Sequence, residues 1–282
     1  MKLSNQNSFG KVGIIGNPLS HSLSPVIHNY WLNLYNINFS YIALETERNE
    51  IDTIIKKIKD EEYIGFNVTI PFKEEIIPYL DELDYKAEEI GAVNAVVISN
   101  SGKLIGRNTD GYGFLENIRV NYPKFDLSSG PIVILGAGGA ARSICFALKS
   151  VGCNDIRILS RRQNQAQKLS EDVGITATAY DFLNQKKAMY KINMFVNTTP
   201  MGMENFPWKG ININYIPKES LIYDIVYKPK ITHLLKTAQN NGNLYLGGIG
   251  MLLYQAIPCF EWWFGKKPII DNNLKKIISD KL

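Results

Sequence analysis

The sequence predicts an α/β protein of two domains, and three observations carry the prediction. Short β-branched runs alternate with helical stretches along the chain, the order that builds largely parallel sheets. At 282 residues and 45% hydrophobic content, the chain is long enough to bury two cores. From Pro131 to about Val151 a strand, a glycine-rich turn and a helix follow without a break, the opening unit of a dinucleotide-binding fold. The first domain is expected from the N-terminus to about Gly111, and the second over residues 112–247.

Ser24-Pro25 marks the first clear helix start, a hydroxyl N-cap followed by proline at the first helical position, leading into Val26–Leu32. With Ser22 beside it, that helix end is also a natural carboxylate site. Asn67-Val-Thr-Ile alternates with period two, so a strand is expected with Asn67 and Thr69 on an exposed face, ended by Pro71. Lys73 follows that strand end, either as a site residue or as the first charge of a surface helix Lys73–Ile77. Val96–Ile105 reads as a hairpin around a Ser-Gly turn. After it, Asn108-Thr-Asp-Gly111 is either a simple turn or cap, or the source of a carboxylate partner for the lysine. Protonated Lys73 would deliver a proton to a developing alkoxide, with Asp110 orienting it and favouring its charged form.

In the second half, Pro131–Leu135 is the strand before Gly136-Ala-Gly-Gly-Ala-Ala141. Gly136 permits the turn, Gly138 lets backbone approach a pyrophosphate at the helix N-terminus, and Ala141 keeps helix and strand close. Asp155–Leu159 is the next strand. An NAD site would have a carboxylate at its end; here Ser160-Arg161-Arg162 stand there, and guanidinium forks suit a 2′-phosphate, so NADP is the expected cofactor. Asp155 lies at the wrong end of the strand. Ile192–Val196 and Leu221–Tyr227 are further strands, the first running into a loop where Thr198 and Thr199 either contact the cofactor or cap a turn.

Composition narrows the function classes. The net charge of +4 comes from scattered pairs such as Lys186-Lys187, without a basic stripe interleaved with aromatics, so nucleic-acid binding is not expected. Cys145, Cys153 and Cys259 have no metal spacing and fit packing roles in a reducing cytoplasm. Met1–Ser8 holds no apolar leader core, and the apolar stretch Ile249–Phe264 is broken by Gln255, Pro258 and Glu261, so no membrane segment is expected.

Ser20-His-Ser-Leu-Ser-Pro25, Asn67–Lys73, Gly91-Ala-Val-Asn94, Asn108–Gly111, Gly136–Ala141 and Gly248-Ile-Gly-Met-Leu252 occur in order, and the set resembles the shikimate dehydrogenase family over residues 11–265. The resemblance implies NADPH-dependent reduction of 3-dehydroshikimate to shikimate within aromatic amino-acid biosynthesis. It implies an N-terminal substrate-binding domain completed by helices within residues 248–282, a Rossmann-type NADP domain, and an active site in the cleft between them. Lys73 and Asp110 become the catalytic pair. Ser22, Ser24, Thr69, Asn94, Tyr227 and Gln255, together with Lys73 and Asp110 themselves, become substrate contacts. Gly136, Ala137, Gly138, Gly139, Ala140, Ser160, Arg161, Arg162, Thr198, Ile225, Gly248 and Met251 become cofactor contacts. Asn94 is a poor strand former, and a vicinal diol would serve as partner for its buried amide. A second arginine common in relatives is replaced by Gln165, with Arg162 adjacent to Arg161 to compensate, and Leu246-Gly247 stands where an aspartate is frequent. Dual quinate/shikimate relatives can carry an Arg-Arg-Asp turn that admits NAD; Gln163 in the aspartate's place argues against that branch. A monomer or homodimer in the cytoplasm is expected. The rival readings are a quinate/shikimate enzyme, an amino-shikimate enzyme and a non-catalytic NADP or shikimate sensor.

Overall fold

The computed structural model describes residues 10–174 and 176–282. The expectation drawn from Met1–Ser8 therefore lies outside the described residues. The chain divides into two compact units, one running to Thr109 and including Gln255–Lys281, the other Asp110–Tyr254 with Leu282. Asp110, Gly111 and residues 248–254, expected with the first domain, cluster with the second. Close packing accounts for this: a Cβ on Gly111 would meet Ala147 Cβ at 2.8 Å and Ser143 O at 2.9 Å, and one on Gly250 would strike the Asn117 side chain.

The first unit is built on strands β1 (Gly10–Gly16), β2 (Phe39–Glu45), β3 (Tyr63–Val68), β4 (Glu82–Leu83), β5 (Ala95–Ile98) and β6 (Leu104–Arg107). Their order is β2-β1-β3-β5-β6-β4. β1 runs parallel to β2 and β3, whereas β5 is antiparallel to β3 and β6, so this sheet is mixed and the hairpin stands as expected. Helix Ile51–Asp60 buries Ile51, Ile55 and Ile58, the spacing of one apolar stripe, into a core with Ile15, Phe66, Phe72 and Val96.

Three local expectations for this unit are corrected. Helix Ser24–Leu34 starts one residue early, with Leu23 at the N-cap, so Ser24 is not the cap. The first helical N–H groups lack intrahelical acceptors in any case, which lets proline sit second. Strand β3 stops at Val68; Thr69 and Ile70 form a turn, and Lys73 lies on the short helix Phe72–Glu75. Asn67 is not on an exposed face, being 5% accessible.

Strands β7 (Ile132–Leu135), β8 (Ile156–Leu159), β9 (Ala177–Tyr180), β10 (Met194–Asn197), β11 (Leu221–Asp224) and β12 (Tyr245–Leu246) form the second unit's sheet. All pairs are parallel, in the order β12-β11-β10-β7-β8-β9. The order reverses between β7 and β10, the switch point where open α/β sheets take ligands at their carboxyl ends. Strand β11 is three residues shorter than Leu221–Tyr227, because Val226 N donates to the Asp224 carboxylate (3.1 Å) and the chain turns there. Helix Gly248–Phe264 begins in the second unit and ends in the first. Among the described residues, no helix is long and apolar enough to cross a membrane, and no His, Cys, Asp and Glu side chains are grouped to hold a metal ion.

Candidate active site

In the first unit a buried chain of hydrogen bonds links residues far apart in sequence. The Ser24 hydroxyl bonds the Tyr41 hydroxyl, and Tyr41 donates to Asn67 Oδ1 at 2.7 Å. Asn67 Nδ2 donates to Asn94 O at 2.9 Å. Asn94 Nδ2 donates to Thr109 Oγ1 (2.8 Å) and Gln255 Oε1 (3.1 Å), while its Oδ1 accepts from Thr109 N (2.8 Å). The Asn94 amide thus has protein partners on both its oxygen and its nitrogen. Burial holds the Tyr41 phenol well above its ordinary pKa, so it stays a neutral donor in this relay.

Lys73 and the serines stand around this relay. Lys73 is half-buried, and its carbonyl accepts from Val93 N at 2.7 Å, one residue before Asn94. Thr69, also half-buried, caps the turn into that helix, with Phe72 N donating to its carbonyl (2.8 Å). Ser22 Oγ accepts from Ser24 N at 3.4 Å. The first unit therefore gathers Ser22, Ser24, Thr69, Lys73, Asn94 and Gln255. Asp110 and Tyr227 belong to the second unit, where Asp110 opens helix Asp110–Asn121 and is 4% accessible.

The carboxyl edge of the second sheet fits a dinucleotide. Gly136 takes φ +116°, and a Cβ there would meet Thr198 Oγ1 at 2.5 Å, so only glycine suits the turn. Gly138 is the extended N-cap of helix Gly139–Ser150, and a Cβ on it would meet nothing within 4 Å. The N–H groups of Gly139 and Ala140 at that open end have no acceptor within the helix, which is the arrangement that binds phosphate. Ala137 is nearly buried beneath the turn and Ala141 wholly so. At the end of β8, Ser160 Oγ accepts from Arg162 N (3.1 Å), and Arg161 and Arg162 are exposed. Asp155, at the opposite end of β8, is paired with Arg157 at 2.7 Å.

Both threonine hydroxyls of the loop after β10 make turn bonds, Thr198 to Leu135 O (2.7 Å) and Thr199 to Asn197 Oδ1 (2.7 Å). Ile225 and Met251 flank Gly248, whose Cβ would strike the Ile225 carbonyl. Sequence reading passed over Thr109, Asn117, Asn197 and Asp224, all buried. Asn117 donates to the Tyr223 hydroxyl at 2.7 Å, across 106 residues of chain, so no local signal exposes it. Asp224 had one: a carboxylate closing an apolar strand.

The family description "Shikimate dehydrogenase substrate binding domain" matches residues 14–96. A curated protein of Paramagnetospirillum magneticum named "Shikimate dehydrogenase (NADP(+))" is 39% identical over 266 residues, spanning 94% of this chain and 96% of the relative. The chain belongs to the shikimate dehydrogenase family. Among solved structures, a shikimate dehydrogenase crystallised in complex with NADP+ superposes with a TM-score of 0.87 at 32% identity, covering 97% of this chain and 96% of that one. The quinate dehydrogenase of Corynebacterium glutamicum in complex with NAD gives a TM-score of 0.87 at 27% identity, covering 97% and 100%. The curated relative and both solved structures run nearly the length of the chain, so the family likeness takes in both sheets.

Proposed function

We propose that this chain is an oxidoreductase that interconverts 3-dehydroshikimate and shikimate with NADP(H), a step of aromatic amino-acid biosynthesis. The observation that carries the reading is the near-full-length likeness to a relative named for that reaction and cofactor, on a chain that keeps Lys73, Asp110 and the glycine turn. NADPH, when bound, supplies a hydride to the substrate carbonyl carbon. Lys73 gives the proton that the resulting alkoxide needs, and Asp110 is the second member of the catalytic pair. In the reverse direction Lys73 takes the proton back. Ser22, Ser24 and the start of helix Ser24–Leu34 hold the substrate carboxylate. Thr69, Asn94, Tyr227 and Gln255 read the ring hydroxyls.

Gly136, Ala137, Gly138, Gly139 and Ala140 hold the pyrophosphate. Ser160, Arg161 and Arg162 hold the 2′-phosphate, and Thr198, Ile225, Gly248 and Met251 border the nicotinamide. A reducing cytoplasm suits three free, buried cysteines. The quinate dehydrogenase likeness favours one alternative, a quinate/shikimate enzyme, and Gln163 after the arginine pair weighs against its NAD-using form. The test is Lys73→Ala. It lowers turnover of shikimate with NADP by roughly two to four powers of ten while the melting curve stays in place. Near-normal turnover in the variant removes the mechanism.

A further inference from the structure

Asp224 is wholly buried at the carboxyl end of β11, where two loops meet. Its Oδ1 accepts from Asn197 Nδ2 (2.9 Å) and Val226 N (3.1 Å), and its Oδ2 from Thr232 Oγ1 (2.6 Å). Asn197 passes the contact on, accepting from Thr199 N (3.0 Å) and donating to Met201 O (2.9 Å). The residues that follow Asn197 and Asp224 are Thr198, which faces Gly136, and Ile225, whose carbonyl faces Gly248. Asp224 and its partner Asn197 thus each stand one residue before a member of the row Gly136, Thr198, Ile225, Gly248 at the carboxyl edge of the sheet.

Packing alone does not call for a charge there. An asparagine has the same shape, its Oδ1 would keep two of the donors, and Thr232 need only turn its hydroxyl to accept. Burial pushes the Asp224 carboxyl up to about 6, against the Thr232, Val226 and Asn197 hydrogen bonds. The groups facing it from β10, from its own chain and from the cap of helix His233–Asn241 are all neutral. Lys228, Lys230, His233 and Lys236 lie on the loop and helix that follow the strand. A buried negative charge without a cationic partner costs stability, and it acts strongly on any charge brought to that edge. The two redox forms of a nicotinamide differ by one positive charge, carried by the oxidised ring.

We infer that the Asp224 carboxylate sets the redox preference of the cofactor site, strengthening NADP+ binding relative to NADPH. The inference rests on the cofactor reading given above. It is tested by the dissociation constants of NADP+ and NADPH for the wild-type protein and for Asp224→Asn, measured by calorimetry at neutral pH. The variant weakens NADP+ by about tenfold and leaves NADPH nearly unchanged. Equal changes in both, or no change, overturn the inference and leave the carboxylate a loop-holding role. Wild-type protein that binds neither cofactor sinks the cofactor reading, and the inference with it. Should the variant fail to fold, the wild-type protein decides: its preference for NADP+ over NADPH declines as pH falls through about 6. The 2′-phosphate is common to both forms and cancels in the ratio, so a pH-independent ratio overturns the inference.

Discussion

Replacing His28 with phenylalanine makes the protein more resistant to acid. His28 lies on helix Ser24–Leu34 with no solvent exposure, stacked on Tyr41 at 4.4 Å and 3° and edge-on to Trp31 at 5.6 Å. Neither ring nitrogen has a hydrogen-bond partner, and burial lowers the imidazole pKa from 6.5 to about 3. The folded state thus keeps the ring neutral through a range in which the unfolded chain takes up a proton. The stabilisation this gives is fully present above pH 6.5 and is lost as pH falls towards about 3. Between neutrality and about pH 5 the loss is about 2 kcal/mol, from 1.36 kcal/mol per pH unit over roughly one and a half units. His28→Phe keeps the stacked ring, removes two buried unpaired nitrogens and does not titrate. Urea unfolding of both proteins at neutral pH and near pH 5 gives a difference of differences in which all other groups cancel. The variant is at least as stable at neutrality, and its advantage grows by about 2 kcal/mol on acidification. A gap that stays constant with pH refutes the reasoning.

Arg161→Ala raises the Michaelis constant for NADP and narrows its advantage over NAD, because a guanidinium fork no longer meets the 2′-phosphate; steady-state kinetics with both cofactors check this, and an unchanged preference assigns the phosphate to other residues. Gly136→Ala forces a side chain into φ +116° and against Thr198 Oγ1 at 2.5 Å. It lowers the melting temperature by an amount equivalent to about 1–3 kcal/mol and weakens NADP binding, as thermal melts with and without cofactor will register. Asn94→Ala strips partners from Thr109 N and Gln255 Oε1. It costs roughly 2–4 kcal/mol in urea unfolding and raises the Michaelis constant for shikimate, whereas a neutral effect on stability would mean that the relay is dispensable.

What the sequence made legible was local. The strand, turn and helix at 132–150 could be read because glycine at φ +116° and an alanine without exposed surface are chemical requirements of that turn. The hairpin of β5 and β6 could be read because two short apolar runs bracket a Ser-Gly turn. Strand ends were less legible. Thr69 and Ile70, and residues 225–227, continue the β-branched or apolar run after the backbone has turned away, so composition overruns geometry there. The Ser24-Pro25 pair marked the right place and the wrong cap, since proline is tolerated anywhere in the first turn. The relay through Asn67, Asn94, Thr109 and Gln255 was not legible from spacing, because Asn94 and Gln255 are 161 residues apart. Asn94 and Gln255 are legible only through the family resemblance, and period-two alternation places Asn67 on an exposed face although it is buried.

The central claim concerns which alcohol and which dinucleotide this chain joins. The specificity constants for shikimate and for quinate, each measured with NADP and with NAD on the same preparation, test it most directly. The account predicts turnover concentrated in the shikimate–NADP pairing, as Arg161 and Arg162 at the end of β8 and the paired Asp155 at its other end require. Comparable turnover with quinate or with NAD contradicts it, and transfers the chain to the broader-specificity branch.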